Sequence, residues 1–214
     1  MTRPSTIAAA ALLAASLGLS GCITVFPKAE PVQLYRFGEQ PPQVAPTNGQ
    51  PFNVTRSATL FARAAQGDAI LTSNGAEIAY IAGARWISPA VILFDEAVDR
   101  AFNADGGPVH LVPRGETGIM GAFLKLDVEV FEARYSGPGA PTATVRVRAV
   151  LARASDRSVV SEKTFDAESR ASDNRMGAIV QAYDQATTDV IGQIVAWTEQ
   201  QGETTAGAPP AKRS

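Results

Sequence analysis

The strongest constraint on this chain is its single cysteine, Cys22, which closely follows an apolar run from Ile7 to Leu19. One cysteine can form neither an intrachain disulfide framework nor a Cys₂ or Cys₄ zinc site, so the chain must cohere by burying apolar surface. It has the material to do so. Of its 214 residues, 45% are hydrophobic and 19% charged, the mix of a folded domain rather than of a disordered or fibrous chain. A lone histidine excludes His-rich metal centres, and 19 Lys and Arg against 21 Asp and Glu leave no basic footprint for nucleic acid.

The chain begins as an export signal. Arg3 supplies a positive start, and Ile7–Leu19 falls within the roughly 7–15 residues of a signal-peptide apolar core. As a helix rising about 1.5 Å per residue it would reach only some 20 Å, short of a bilayer core of about 30 Å. Leu19, Ser20, Gly21 and Cys22 then match the bacterial lipobox. Small residues before the cysteine admit an extended backbone to a narrow peptidase cleft, and the Cys22 sulfur is the nucleophile that takes a lipid. The expectation is cleavage after Gly21 and fatty acylation (palmitate-type chains) at Cys22. Two or three such chains, at about 0.8 kcal/mol per buried methylene, would hold the protein on a membrane. Ile23 stands where inner-membrane retention usually places Asp, which by that analogy sends the protein to the outer membrane, facing the periplasm.

The rest reads as one domain between two poorly structured ends. Residues 22–33 form a lipidated tether, residues 34–200 the domain, and residues 201–214, with few large apolar residues, a disordered tail. Prolines continue to Pro51, interrupted by one short strand candidate at 33–37.

Period-two patterns predict strands at Phe52–Leu60, 69–73, 76–81, Val109–Val112, 124–130, 145–151 and Val159–Phe165, with Asn74-Gly75 as a hairpin turn. Ser88-Pro89 predicts a capped helix start, and Ala90, Leu93, Phe94, Ala97, Val98, Ala101 and Phe102 fall on one stripe. A longer helix from near Ser172-Asp173 carries Ile179, Tyr183, Ala186, Val190, Ile194 and Trp197. The three late strands predict an antiparallel meander. The fold class is therefore α/β: a single domain with a mixed, largely antiparallel sheet and two principal amphipathic helices.

This layout resembles the ABC-type transport auxiliary lipoprotein family. The resemblance rests on the Leu34-Tyr35-Arg36-Phe37 strand, on Arg85-Trp86-Ile87-Ser88-Pro89-Ala90 leading into the first helix, on Leu124 to Glu132 ending in Phe-Glu, and on a long helix closing at Ile194–Trp197. It implies a non-catalytic, outer-membrane partner of an ABC permease and ATPase, docking a periplasmic MCE-domain protein in the movement of phospholipid or related hydrophobic molecules. It also allows a homo-oligomer. It implies no cofactor, no metal and no nucleic-acid partner. The alternatives are an envelope maintenance or assembly lipoprotein unconnected to a transporter and, more weakly, a periplasmic hydrolase.

The residues whose types suit chemistry have plainer explanations. His110 sits in a strand; Ser172-Asp173-Asn174 lacks the companion motifs of penicillin-recognising enzymes. Gly115, Gly118 and Gly121 match neither phosphate-binding pattern. Asp127 and Glu129 face the alternating Arg146 and Arg148, which predicts cross-strand ion pairs rather than a carboxylate dyad. Trp86 and Trp197 could anchor a partner or plug the core, with core favoured for Trp86 by the area a tryptophan buries.

Overall fold

In a computed structural model, residues 31–44, 50–112 and 121–206 are described. The lipobox residues Leu19, Ser20, Gly21 and Cys22 lie outside them, as does most of the Gly115–Gly121 loop. No described helix is long and apolar enough to cross a membrane.

The described strands are β1 (Gln33–Tyr35), β2 (Phe52–Arg56), β3 (Leu60–Phe61), β4 (Ala69–Asn74), β5 (Glu77–Trp86), β6 (Val109–Val112), β7 (Ala122–Tyr135), β8 (Thr142–Arg153) and β9 (Val159–Arg170). Helix α1 spans Ala90–Asp105, between β5 and β6, and α2 spans Met176–Ala206. All nine strands join one sheet built on β7. Along one side β7 pairs antiparallel with β8 for nearly its full length, and β8 pairs likewise with β9. This is the predicted meander. Its alternation is legible in burial: Leu124, Leu126 and Val128 of β7 and Val145, Val147, Ala149 and Leu151 of β8 are buried, while Lys125 and Arg146 are exposed.

The other side of β7 is assembled differently. It receives β2, β3 and β4 one after another, all parallel to it. β6 extends the sheet beyond β2 in parallel, β5 pairs antiparallel with β4, and β1 lies parallel on β5. The sheet is mixed, with antiparallel pairing in its longest ladders.

The expected strand Phe52–Leu60 is broken in two. Arg56 pairs with Leu124 and Leu60 with Asp127, so one side advances four residues while β7 advances three. That extra residue is a bulge-like offset after Arg56, which itself lies on the buried face of β2 with Val54 by the strand's regular alternation. The expected hairpin forms with its turn one residue later: Asn74 is the last residue of β4, opposite Glu77, and Gly75 (φ +61) and Ala76 make the connection. β5 runs beyond Ile81, bending at Gly83 (φ +68), and ends at Trp86.

The α1 stripe is buried as its period requires: Ala90, Leu93, Phe94, Ala97, Val98, Ala101 and Phe102 all face the core. Its start differs by one residue. Pro89, not Ser88, takes the N-cap position, and no side chain caps it. The carbonyls of Gly67 and Gln66 instead accept the Ala90 and Val91 N–H groups, at 2.8 and 3.3 Å. Gly106 ends α1 in the left-handed conformation (φ +68). α2 starts at Met176, later than Ser172-Asp173, because Asp173 pairs with Arg175 and Asn174 accepts the Tyr135 hydroxyl. It continues to Ala206, past residue 201 where the tail was expected, through residues with no proline to stop it.

Candidate functional site

The segment just behind the tether is fixed to every layer of the domain. β1 begins the attachment: the Ile87 N–H donates to the Tyr35 carbonyl at 2.7 Å. Two residues on, Phe37 is 1% exposed and enters a cluster of aromatic rings. Its ring lies 4.9 Å from Trp86, edge-on, and 5.1 Å from Phe131. Tyr183 of α2 completes the cluster, 5.3 Å from Trp86 and 5.0 Å from Phe131. Such pairs contribute about 0.5–1.5 kcal/mol each beyond the area they bury.

Gly38 then meets both helices. Its N–H donates to Asp184 Oδ1 of α2 at 2.5 Å. Its carbonyl accepts two N–H groups from the Arg100 guanidinium of α1, at 3.0 and 2.8 Å. The residue adopts φ +74, and a Cβ there would stand 2.5 Å from Ala97 Cβ. Only glycine satisfies both conditions. Farther along, Pro42 packs on Gly192 of α2, where an added Cβ would lie 3.1 Å from the proline ring. Residues 33–44 thus form a strap across β5, α1 and α2.

Trp86 and Trp197 both belong to the core. Trp86 is 2% exposed within the aromatic cluster, and Trp197 packs edge-on against Phe165 at 5.7 Å. Neither offers a free surface to a partner. Tyr183 is fully buried, and its hydroxyl donates to the Leu71 carbonyl at 2.6 Å. Burial, with Glu132 nearby, lifts its phenol well above the ordinary tyrosine pKa.

A cleft of about 480 Å³ opens between α1 and the β2–β6 pair, lined by Arg56, Ile92, Asp95, Asp99, Asn103 and Leu111 among others. At its base the Arg56 side chain, 4% exposed, reaches Asp95 at 2.5 Å and Asp99 at 3.0 Å. Thr59 bridges the same pair, accepting from Arg56 and donating to Asp95. This buried ion pair ties the sheet to α1 at the point where β2 breaks. The cleft combines the apolar side chains Ile92, Leu111 and Val112 with the charged Arg56, Asp95, Glu96 and Asp99.

The remaining candidates stay apart. His110 is exposed on β6, opposite Asn53, and its ring has no hydrogen bond or ion pair among the described residues. No cluster of three or more His, Cys, Asp or Glu side chains that could hold a metal occurs among the described residues. The expected charge pairing is corrected in its partners. Asp127 does stand opposite Arg148, while a bulge between Val128 and Val130 takes Glu129 out of register; both arginines make their ion pairs with β9. Arg146 meets Asp166 at 2.5 Å and Arg148 meets Glu162 at 2.6 Å. Arg148 holds the Glu162 carboxyl below its ordinary pKa.

Nothing in the sequence pattern marks Gly38, Arg56, Arg100 and Asp184 for these roles, while Phe37 stands out only as the end of a short strand. The glycine between Arg36-Phe37 and Glu39 is obscured by the prolines that follow.

Fold and strap together define a mixed-sheet α/β domain whose N-terminal segment is bolted to its core. The chain belongs to the family of ABC-type transport auxiliary lipoprotein components, whose model matches residues 35–195. It is thereby a member of a lipoprotein family associated with ABC-type transport and a membrane-associated envelope location. Among solved structures it is similar to the protein XCC0632 from Xanthomonas campestris, at 28% identity and a TM-score of 0.71, covering 82% of this chain and 100% of that one. It shares its fold with an uncharacterised protein at 13% identity and a TM-score of 0.60, covering 79% and 99% of the two chains. No curated protein sequence matches it.

Proposed function

We propose that this protein is a non-catalytic docking lipoprotein of an ABC-type intermembrane transport system for phospholipid or related hydrophobic molecules. Residues 1–21 are removed, with Leu19, Ser20 and Gly21 read by the signal peptidase. Cys22 carries the acyl chains, and the tether to residue 33 holds the domain at the outer membrane, facing the periplasm. There it receives the periplasmic MCE-domain protein that works with the permease and ATPase.

The observation that carries this reading is the strap. An anchor at Cys22 pulls on a segment that Gly38 fixes to both helices, so the whole domain is held rather than one loose strand. The family assignment supports association with an ABC-type transport system.

Two measurements test it. Mass spectrometry of the membrane-extracted protein is expected to find an acylated Cys22 at the N-terminus; an intact, unmodified Met1 overturns the anchoring. Affinity capture in mild detergent is expected to recover permease, ATPase and MCE-domain subunits. Their absence, under conditions that preserve a control transporter complex, overturns the docking role.

A further inference from the structure

The solvated face of β7, β8 and β9 divides in two by charge. Over most of its length the arginines are matched: Arg134 meets Glu132, Arg146 meets Asp166 and Arg148 meets Glu162. At the Phe123 end the cations have no carboxylate partner among the described residues. Lys125 is exposed and makes no ion pair there. Arg157, in the turn between β8 and β9, lays its guanidinium over the Phe123 ring, 4.3 Å from the centroid. Arg153, at the end of β8, donates to Ser158 Oγ. The neighbouring Asp156 is engaged by the Ser158 N–H and hydroxyl, at 2.9 and 2.7 Å.

Arg157 holds its place against its backbone preference. At φ +63 it is the one non-glycine residue in the left-handed region among the described residues. Glycine or asparagine enters that conformation more readily than a long side chain does. Stacking on Phe123 fixes where the guanidinium points, yet its N–H donors find no acceptor among the described residues. Beside it lies an apolar floor: Phe123 stands opposite Ala152, Ala152 opposite Val159, and Lys125 opposite Val150. Cations thus frame an open apolar surface.

β1 lies parallel to β5, which is antiparallel to β4, which in turn is parallel to β7. β1 therefore runs from the Tyr135 end of β7 towards the Phe123 end, so the anchored segment arrives from the former. Phe123 and Tyr135 stand about 40 Å apart along a strand rising about 3.3 Å per residue. In the docking reading the floor is turned away from the lipid anchor, which favours a protein ligand over membrane headgroups.

We propose that this floor binds an extended acidic segment of the periplasmic partner. Its carboxylates meet Lys125 and Arg157, and its apolar side chains lie on Phe123 and Val150. Guanidinium–carboxylate hydrogen bonds are short and charge-assisted, and the stack on Phe123 presents the Arg157 fork ready to make them. The identity of the partner rests on the docking reading; the acidic chemistry of the ligand does not.

Fluorescence anisotropy of a labelled peptide alternating Glu and Leu, titrated with the full-length chain in neutral detergent, tests it. Lys125→Gln combined with Arg157→Gln is expected to weaken binding about tenfold or more. Arg63→Gln, at another exposed arginine with no ion pair among the described residues, is expected to leave it unchanged. Arg157→Gly removes the charge and relieves the backbone, and is expected to bind less while unfolding at no lower a temperature. Absence of binding overturns the proposal, as does equal weakening by Arg63→Gln or full binding by Arg157→Gly. Displacement of the peptide by phosphatidylglycerol added to the micelles assigns the cations to a headgroup and also overturns it. So does binding that appears only in Glu116→Gln, which assigns them to the chain's own carboxylate. Should an Arg157 variant unfold more easily, Lys125→Gln alone decides. Failure of the unaltered chain to capture transporter subunits, with the peptide results as expected, removes the docking reading and leaves the acidic site standing.

Discussion

The Gly38 N–H lies 2.5 Å from Asp184 Oδ1, joining the first turn after β1 to the middle of a helix far along the chain. The same glycine gives its carbonyl to Arg100. One residue without a side chain therefore closes two helices onto the N-terminal segment.

Gly38→Ala is expected to destabilise the protein by about 2–5 kcal/mol. The left-handed backbone costs an L-residue some 1–2 kcal/mol, and forcing a methyl against Ala97 adds roughly 1–3 kcal/mol. Urea denaturation followed by circular dichroism reads the difference. Gly67→Ala, with nothing within 4 Å of its added carbon, is the control and is expected to change stability little.

Arg56→Met is expected to cost about 3 kcal/mol, because it leaves the partly buried Asp95 carboxylate without its cation. Arg56→Met combined with Asp95→Asn is expected to cost less than the two single changes added together. A double-mutant cycle on unfolding free energy measures that coupling. Strict additivity would show that the pair contributes nothing.

Tyr183 makes the fold sensitive to alkali. Its phenol is held neutral, with a folded pKa above the unfolded value of about 10. The proton is therefore bound more tightly in the folded chain, and the associated stability is fully present below pH of about 10 and falls as pH rises beyond it. Tyr183→Phe is expected to lose about 1–2 kcal/mol at neutral pH through the unsatisfied Leu71 carbonyl. It is also expected to show a shallower decline in thermal midpoint between pH 9 and 11.

On the solvated face, Arg148→Gln is expected to move the Glu162 pKa back up towards the ordinary carboxylate value. The guanidinium hydrogen bond is the main cause of the depression. An NMR titration of the Glu162 side chain reads this directly. An unmoved pKa would assign the depression to some other neighbour.

The parts of the fold that sequence could foretell are those set by short-range periodicity. The α1 stripe from Ala90 to Phe102 repeats at helical spacing, and β7 and β8 alternate cleanly, so each element discloses its buried side. Partner choice is another matter. Nothing local in Phe52–Asn74 says that this stretch runs parallel to β7, since that pairing depends on residues distant in sequence. Arg56 reads as an ordinary polar position at a strand end, and only the packing of α1 brings Asp95 to it. Glu129 looks like a cross-strand partner because a bulge leaves no mark in the alternation. The roles of Trp86 and Trp197 needed three dimensions, since a tryptophan at the end of an apolar pattern suits core and interface alike. Gly38 was hidden among prolines for a physical reason: the contacts that demand it come from α1 and α2, not from its neighbours.

β7 also sets an order of events for a chain made from its N-terminus. β2, β3 and β4 are synthesised well before the strand they lie against, whereas β8 and β9 follow their template at once. Distant contacts of this kind are slow to form. The β7-facing sides of β2, β3 and β4 must therefore wait, unmatched, until Tyr135 has been made, although β4 and β2 can already pair with β5 and β6. During that interval this is the region most dependent on chaperones and most open to proteolysis.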